Sequence, residues 1–297
     1  MELRYASMSR KKSMTVCILA YLIAVLVGVA AGYTLRNHHP LLVAGIADIA
    51  ATATIFVFSV VFDNSSLYDP YWSVVPVFII VFWIFHPDGA DACLTRQIAV
   101  SLLLCIWAVR LTYNWIRRWR GLGHEDWRYM DFREKTGKFY WPVSFAGIHF
   151  VPTVLVFAGC FSLYIAVAAG TNPFGVMDIL AIIVTAAAVA IETVADRELN
   201  HFLTTRKDER QVLSSGLWEY SRHPNYFGEV LFWWGLYLFA IAADTAYWWT
   251  VFGPIAMTAL FLFISVPLIE KHMENRKPDY SRSLAGVSRF VPWLPGK

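Results

Sequence analysis

The sequence predicts an all-α integral membrane protein of about eight transmembrane helices in one bundle, with both termini cytosolic. Three observations predict it. Of 297 residues, 57% are hydrophobic and only 16% charged, whereas a soluble domain carries about 25% charged residues. The apolar residues gather into runs, most of them close to the ~20 residues that cross hydrocarbon as a helix. The basic residues divide by side. With Arg4, Arg10, Lys11 and Lys12 placed inside and eight crossings counted, only Arg36 and Arg96 fall in outer loops, and Arg110 lies within a span. Every other Lys and Arg is then inner, the bias expected of a correct span count.

The first run, Met14–Tyr33, is longer than the core of a signal peptide and lacks a small-residue cleavage site, so it reads as a retained span. Leu41–Phe62 follows, with Asp48 isolated in its outer half and no partner evident. Trp72–Phe85 is short and needs tilt or flanking polar turns to cross. Ile98–Trp115, Ile148–Gly170 and Met177–Ala195 are spans of ordinary length. Val230–Ala243 is short again, and Trp248–Ile269 completes the set. Cys17, Cys93, Cys105 and Cys160 form no CxxC pair or disulfide framework and read as core residues. With no repeat or low-complexity linker, residues 1–297 read as one domain. Nothing in the pattern points to nucleic acid or to an obligate protein partner.

Three inner elements, Arg117–Gly147, Arg197–Asn225 and Lys271–Lys297, join the short Asp63–Tyr71 loop on one membrane face. A site assembled from them is reached from the cytosol. Glu192, Asp196 and Asn200, four residues apart, stack on one helical face at the inner end of the sixth span. Intramembrane acids usually face a polar interior, although a solvated helix end has the same spacing. Pro224 suits a helix start with His223 or Ser221 near its cap, which puts Asn225 and Glu229 on one face. That N-terminus favours anions, and Arg222 and His223 add phosphate-binding donors. A polar hinge held by Tyr226 and Trp218 at the interface is the plainer alternative. Glu270, Glu274 and Lys277 make helical-spaced charge pairs, with Pro278 ending their helix. Arg110, among apolar residues, needs a counter-ion, for which Asp69 or Asp63 qualify; otherwise it snorkels. Tyr113 is a neutral proton donor if it faces a cavity and a belt aromatic if it does not. No His, Cys and carboxylate set has metal-ligand spacing.

The run Tyr220–Glu229, the upstream Glu192 and Asp196, and the terminal Pro278-Asp-Tyr280 with Phe290-Val-Pro292 resemble the steroid 5-alpha-reductase superfamily. They are most similar to its bacterial membrane branch of uncharacterised function, related to sterol C14 and C7 reductases. Arg110–Asn114 and Glu125–Tyr129 share the resemblance, which covers roughly residues 60–297. It implies a multi-spanning enzyme that binds NADPH from the cytosol and reduces a carbon–carbon double bond in a lipid or steroid-like enone. It implies that Asn225 and Glu229 meet the nicotinamide, that Asp196 and Glu192 hold adenosine or ribose groups, and that Tyr220 and Arg222 line the phosphates. Asn200, Arg206, Arg210, His223, Arg276 and Tyr280 complete the cofactor set. The Glu–Tyr pair that holds the 3-keto group in steroid reductases is not matched, and Tyr113 and Asp69 stand as its substitutes.

A membrane methyltransferase of the isoprenylcysteine type, using S-adenosylmethionine, is the competing reading. Arg197, Arg206, Arg210, Arg222 and Arg276 favour the doubly phosphorylated dinucleotide over that cation. A transporter should show inverted repeats and broken midplane helices, and neither is visible. The bacterial inner membrane is favoured over the endoplasmic reticulum.

Overall fold

The protein is described over residues 7–296 by a computed structural model. Arg4 and Lys297, counted above among the inner basic residues, lie outside them. Eight helical crossings are long and apolar enough to span a membrane, and no strand occurs among the described residues.

Helix α1 (Arg10–Thr34) starts at Ser9, whose hydroxyl accepts from Lys12 N, and α2 (Pro40–Val61) starts with proline at its first position. The third crossing is lengthened by a polar 3-10 turn, Ser65–Tyr68, ahead of α3 (Tyr71–Phe85), which explains how so short an apolar run crosses. Helix α4 (Leu94–Arg118) is the fourth. Helices α5 (Trp127–Thr136), α6 (Tyr140–Ser144) and α7 (Val151–Tyr164) make up the fifth. Helices α8 (Val176–Thr205) and α9 (Pro224–Ala243) follow, then α10 (Phe252–Leu260) and α11 (Val266–Arg276) as one crossing, and finally the short α12 (Tyr280–Ser283). Two crossings widen into π turns, Phe145–Phe150 and Phe261–Ser265, just ahead of Pro152 and Pro267. A proline lacks the N–H and crowds the carbonyl one turn back, so the chain ahead of it loosens.

Helices α8 and α9 pack along a seam made by glycine. A Cβ on Gly228 would lie 2.4 Å from Glu192 Cγ, and one on Gly235 would lie 2.2 Å from Thr185 Oγ1. Close backbone approach through small residues is how helices associate where lipid removes the hydrophobic drive. The main core surrounds this pair with Trp83, Trp107, Phe232, Trp233 and Phe239. A second core joins α1 and α2 to the 3-10 turn and to Trp119, Leu122 and Tyr129. Cys17 and Cys160 are buried as expected, whereas Cys93 is half-buried and Cys105 is exposed on α4.

Arg96 departs from the outer-loop expectation. It lies in the first turn of α4, fully buried, with Nε 2.6 Å from Asp178 Oδ1 and NH2 2.9 Å from Oδ2. The carbonyls of Asn172 and Pro173 accept its remaining protons at 3.0 and 3.2 Å. The pair joins α4 to α8 at the face opposite the loops that carry the candidate site. Breaking one side of such a pair strands a buried charge. Asp178→Ala is expected to cost about 3–5 kcal/mol, read as a large fall in unfolding temperature in detergent; an unchanged temperature would refute the assignment.

Candidate functional site

Helix α4 presents Trp107, Arg110, Asn114 and Arg118 at three- and four-residue spacing, hence on one face. That face meets the acid row of α8. Arg110 NH2 lies 2.6 Å from Glu192 Oε2, and NH1 lies 2.8 Å from Asp196 Oδ2. Asn114 Nδ2 donates to the same Asp196 oxygen at 2.8 Å, and Arg118 NH2 donates to Asn200 Oδ1 at 2.8 Å. The stacked Glu192–Asp196–Asn200 face is therefore real, and α4 reads it rung by rung. The counter-ions of Arg110 are these two acids. Asp63 instead pairs with Arg133 at 2.8 Å, and Asp69 accepts from the Tyr129 hydroxyl at 2.7 Å.

Helix α9 begins at Pro224 with His223 as its cap residue. Asn225 and Glu229 then face the same way, and Glu229 is 3% exposed. Two indoles hold its carboxyl: Trp107 Nε1 donates to Oε2 and Trp233 Nε1 donates to Oε1, both at 2.9 Å. Gly228 lets α8 approach closely enough that Glu192 packs against the turn carrying Glu229, and both acids line one wall.

A cavity of about 660 Å³ runs from this wall toward the start of α5. Its polar lining includes Glu192, Asp196, Asn225, Glu229, Asn114 and Arg118, and across the space Asp69, Asp126, Arg128 and Tyr129. Trp72, Leu111, Tyr226, Phe261, Ile264 and Leu268 make the apolar flank. Both proline-led π turns contribute, through Gly147 and Ile148 on one side and Phe261, Ile264 and Ser265 on the other. The 3-10 turn that carries Asp69 is tied down by Glu125, which accepts from Ser65 N at 2.6 Å and from Arg133 Nε at 2.6 Å. Burial pushes the Asp126 carboxyl up, but the neighbouring Arg128 guanidinium outweighs it and holds the group below the usual carboxylate range. Trp127 stacks on His272 of α11 with ring centroids 3.7 Å apart, closing one side of the mouth.

The predicted site residues divide into two groups. Asp69, Glu192, Asp196, Asn225 and Glu229 line the cavity, and Asn200 is one contact away through Arg118. Tyr113 does not: its side chain is 57% exposed on the outside of α4, with Arg117 over its ring. It is a peripheral aromatic. Arg222, expected to bind phosphate, donates instead to the carbonyls of Val287 and Leu284, both at 3.2 Å, while its backbone N–H donates to Ser288 O. Ser221 Oγ donates to Phe290 O, and Trp293 N–H donates to Tyr220 O. His223 Nε2 lies 3.4 Å from Glu270 Oε1, and Glu270 also takes Arg289. Tyr220, Arg222 and His223 thus clasp the C-terminal stretch, with Tyr280 buried beside it and its phenol pushed up to about 12 by burial. Glu270, Glu274 and Lys277 do not pair with one another. Their partners are the clasp, Ser281 and the Gln211 carbonyl. Burial, helped by the nearby charges of Arg206 and Arg276, holds the Lys277 ammonium below the usual range. Arg210 is exposed, and none of Arg206, Arg210 and Arg276 lines the cavity.

The family follows from the chain itself. A model of the proteins of unknown function called DUF1295 matches residues 55–284. The chain belongs to that family. An uncharacterised protein of Schizosaccharomyces pombe is 28% identical over 282 residues, 88% of this chain and 82% of its own length. No solved structure matches. Every cavity-lining residue falls inside the matched stretch, whereas α1 and residues 285–296 of the clasp fall outside it.

Sequence reasoning missed Tyr129, Trp107 and Trp233. Trp233 stands one turn beyond Glu229, so helical spacing marks it as a candidate donor to that carboxyl, whereas Trp107 reaches Glu229 from another helix and no local spacing reveals it. Trp107→Phe leaves Glu229 Oε2 without its indole donor. The expected cost is about 1–3 kcal/mol in detergent unfolding, with the fold retained; no loss would mean that the bond is dispensable.

Proposed function

We propose that the protein is a membrane-embedded, NADPH-dependent reductase of a carbon–carbon double bond in a lipid or steroid-like enone. The observation that carries this reading is a single cavity. It joins the Asn225–Glu229 wall to the Tyr129–Asp69 pair and has an apolar flank for a greasy substrate. The similarity of Tyr220–Glu229, Glu192 and Asp196 to steroid 5-alpha-reductases supports it. So does the cavity size, which falls in the range of about 300–1,000 Å³ typical of ligand sites.

The residues present fit the cofactor. Asn225 offers an amide and Glu229 a fixed carboxyl for the carboxamide end, and Glu192 and Asp196 offer acceptors for ribose hydroxyls. Arg118 and Arg128 in the lining, with Arg206, Arg210 and Arg276 outside it, offer donors for the phosphates. NADPH, when bound, supplies the hydride. The chain's own contribution is alignment, exclusion of water and a proton. The Tyr129–Asp69 pair takes the place assigned above to Tyr113 and Asp69. With Asp69 as the carboxylic acid, the 2.7 Å hydrogen bond reverses: the acid donates to the phenol oxygen, and the single phenol proton goes to a substrate carbonyl oxygen as negative charge builds there, a bond that a dry site strengthens. On this reading the Lys and Arg bias turns the cavity mouth and both termini to the cytosol, in a bacterial inner membrane.

One observation favours the methyltransferase reading. Asp69, Asp126, Glu192, Asp196 and Glu229 outnumber Arg118 and Arg128 along the cavity, a balance that suits a cation such as S-adenosylmethionine. Calorimetric titration in lipid nanodiscs separates the two. NADPH is expected to bind, and Glu229→Gln or Asn225→Ala should weaken it by about ten-fold or more. Binding of S-adenosylmethionine without NADPH would reverse the assignment. Tyr129→Phe should keep NADPH affinity while slowing enone reduction by about 10²–10⁴-fold, the usual worth of a positioned acid; full activity in that variant would remove Tyr129 from the mechanism.

A further inference from the structure

A second cleft, about 500 Å³ in volume, lies between α2 and α7, away from the cavity described above. Its walls are Leu41, Leu42, Gly45, Ile46, Ile49, Val154, Phe157 and Phe161, with Asp48, Thr153 and His39 as the polar members. Leu42, Ile46, Ile49 and Val154 are 38–48% exposed on the lipid-facing surface, so the cleft opens sideways. Gly45 lets Phe157 lie against α2, where a Cβ would sit 3.1 Å from the ring.

Asp48 sits in this apolar setting at 5% exposure. Tyr71 donates to its Oδ1 at 2.7 Å, while Oδ2 has no partner among the described residues. A bare carboxyl oxygen facing hydrocarbon is costly, and an alkyl chain alone cannot satisfy it. A hydroxyl can, because it both donates and accepts and so serves the acid and the carboxylate alike. At the mouth, His39 Nδ1 accepts from Leu41 N at 3.2 Å. A neutral ring then carries its proton on Nε2, a donor for an oxygen acceptor. His39 and Asp48 are nine residues apart, ~13 Å along the helix, which is roughly eleven bonds of an extended chain.

We infer that this cleft binds a hydroxylated acyl chain. The chain's oxygen head meets His39 at the membrane surface, and a mid-chain hydroxyl meets Asp48 Oδ2. The site is independent of the reductase cavity and of any reading of it.

The test uses full-length protein in phosphatidylcholine nanodiscs with two radiolabelled probes, stearate and a mid-chain hydroxystearate. The hydroxylated probe should bind about ten-fold more tightly, the effect of satisfying one buried polar group. Asp48→Leu should abolish that preference. Ile46→Trp, a change at a lipid-exposed position that fills the mouth and leaves Asp48 intact, should block both probes and carries the test if Asp48→Leu does not fold. Equal binding of the two probes to the unaltered protein would overturn the inference and leave only a passive alkyl groove. So would a preference that survives either substitution.

Discussion

Two buried carboxyls brought to one seam within a membrane bundle set the terms for everything around them. Glu192 and Glu229 share the α8–α9 seam because Gly228 has no side chain to separate them. Hydrocarbon offers such groups nothing, so protein must supply donors. Arg110 answers Glu192 from α4 with its charge, and Trp107 and Trp233 answer Glu229 with indole hydrogen bonds. Three helices are thereby fixed in register by polar requirement rather than by apolar packing. Arg96 and Asp178 repeat the device at the other end of α4 and α8. Helix α4 is pinned at both ends, and the cavity beside it inherits that rigidity.

The opposite wall obeys a different constraint. Asp69 rides on a short 3-10 turn, which has little stiffness of its own, and its position comes from Glu125, Arg133 and Asn64 holding neighbouring backbone. The apolar flank is drawn from several helices, and two π turns ahead of prolines contribute Ile148, Phe261 and Ile264 to the lining. One cavity therefore combines a rigid polar wall, a tethered polar wall and a loosened apolar side.

Much of this was legible in the chain. Run lengths marked the eight crossings, and Pro224 marked where α9 begins. Four-residue spacing put Glu192, Asp196 and Asn200 on one face, and Asn225 and Glu229 on another. Partners across helices were not legible, because nothing local says that Arg110 meets Asp196 rather than Asp69. Tyr113 and Tyr129 show the same limit. Both are tyrosines beside charged residues, and only tertiary packing decides that Tyr113 faces outward while Tyr129 reaches Asp69. Arg222 misled for a related reason: a cation at a helix start reads as an anion site, yet here the C-terminal backbone arrives first with its carbonyls.

That last contact bears on how the protein should be handled. Arg222, Ser221 and Tyr220 grip residues 284–293 almost wholly through main-chain atoms, so the grip is indifferent to which side chains that stretch carries but sensitive to where its backbone lies. A change that displaces the backbone of residues 284–293 would pull on the loop leading into α9. An affinity handle attached ahead of α1, which packs chiefly on α2 and touches the 116–122 segment at its start, leaves that loop undisturbed.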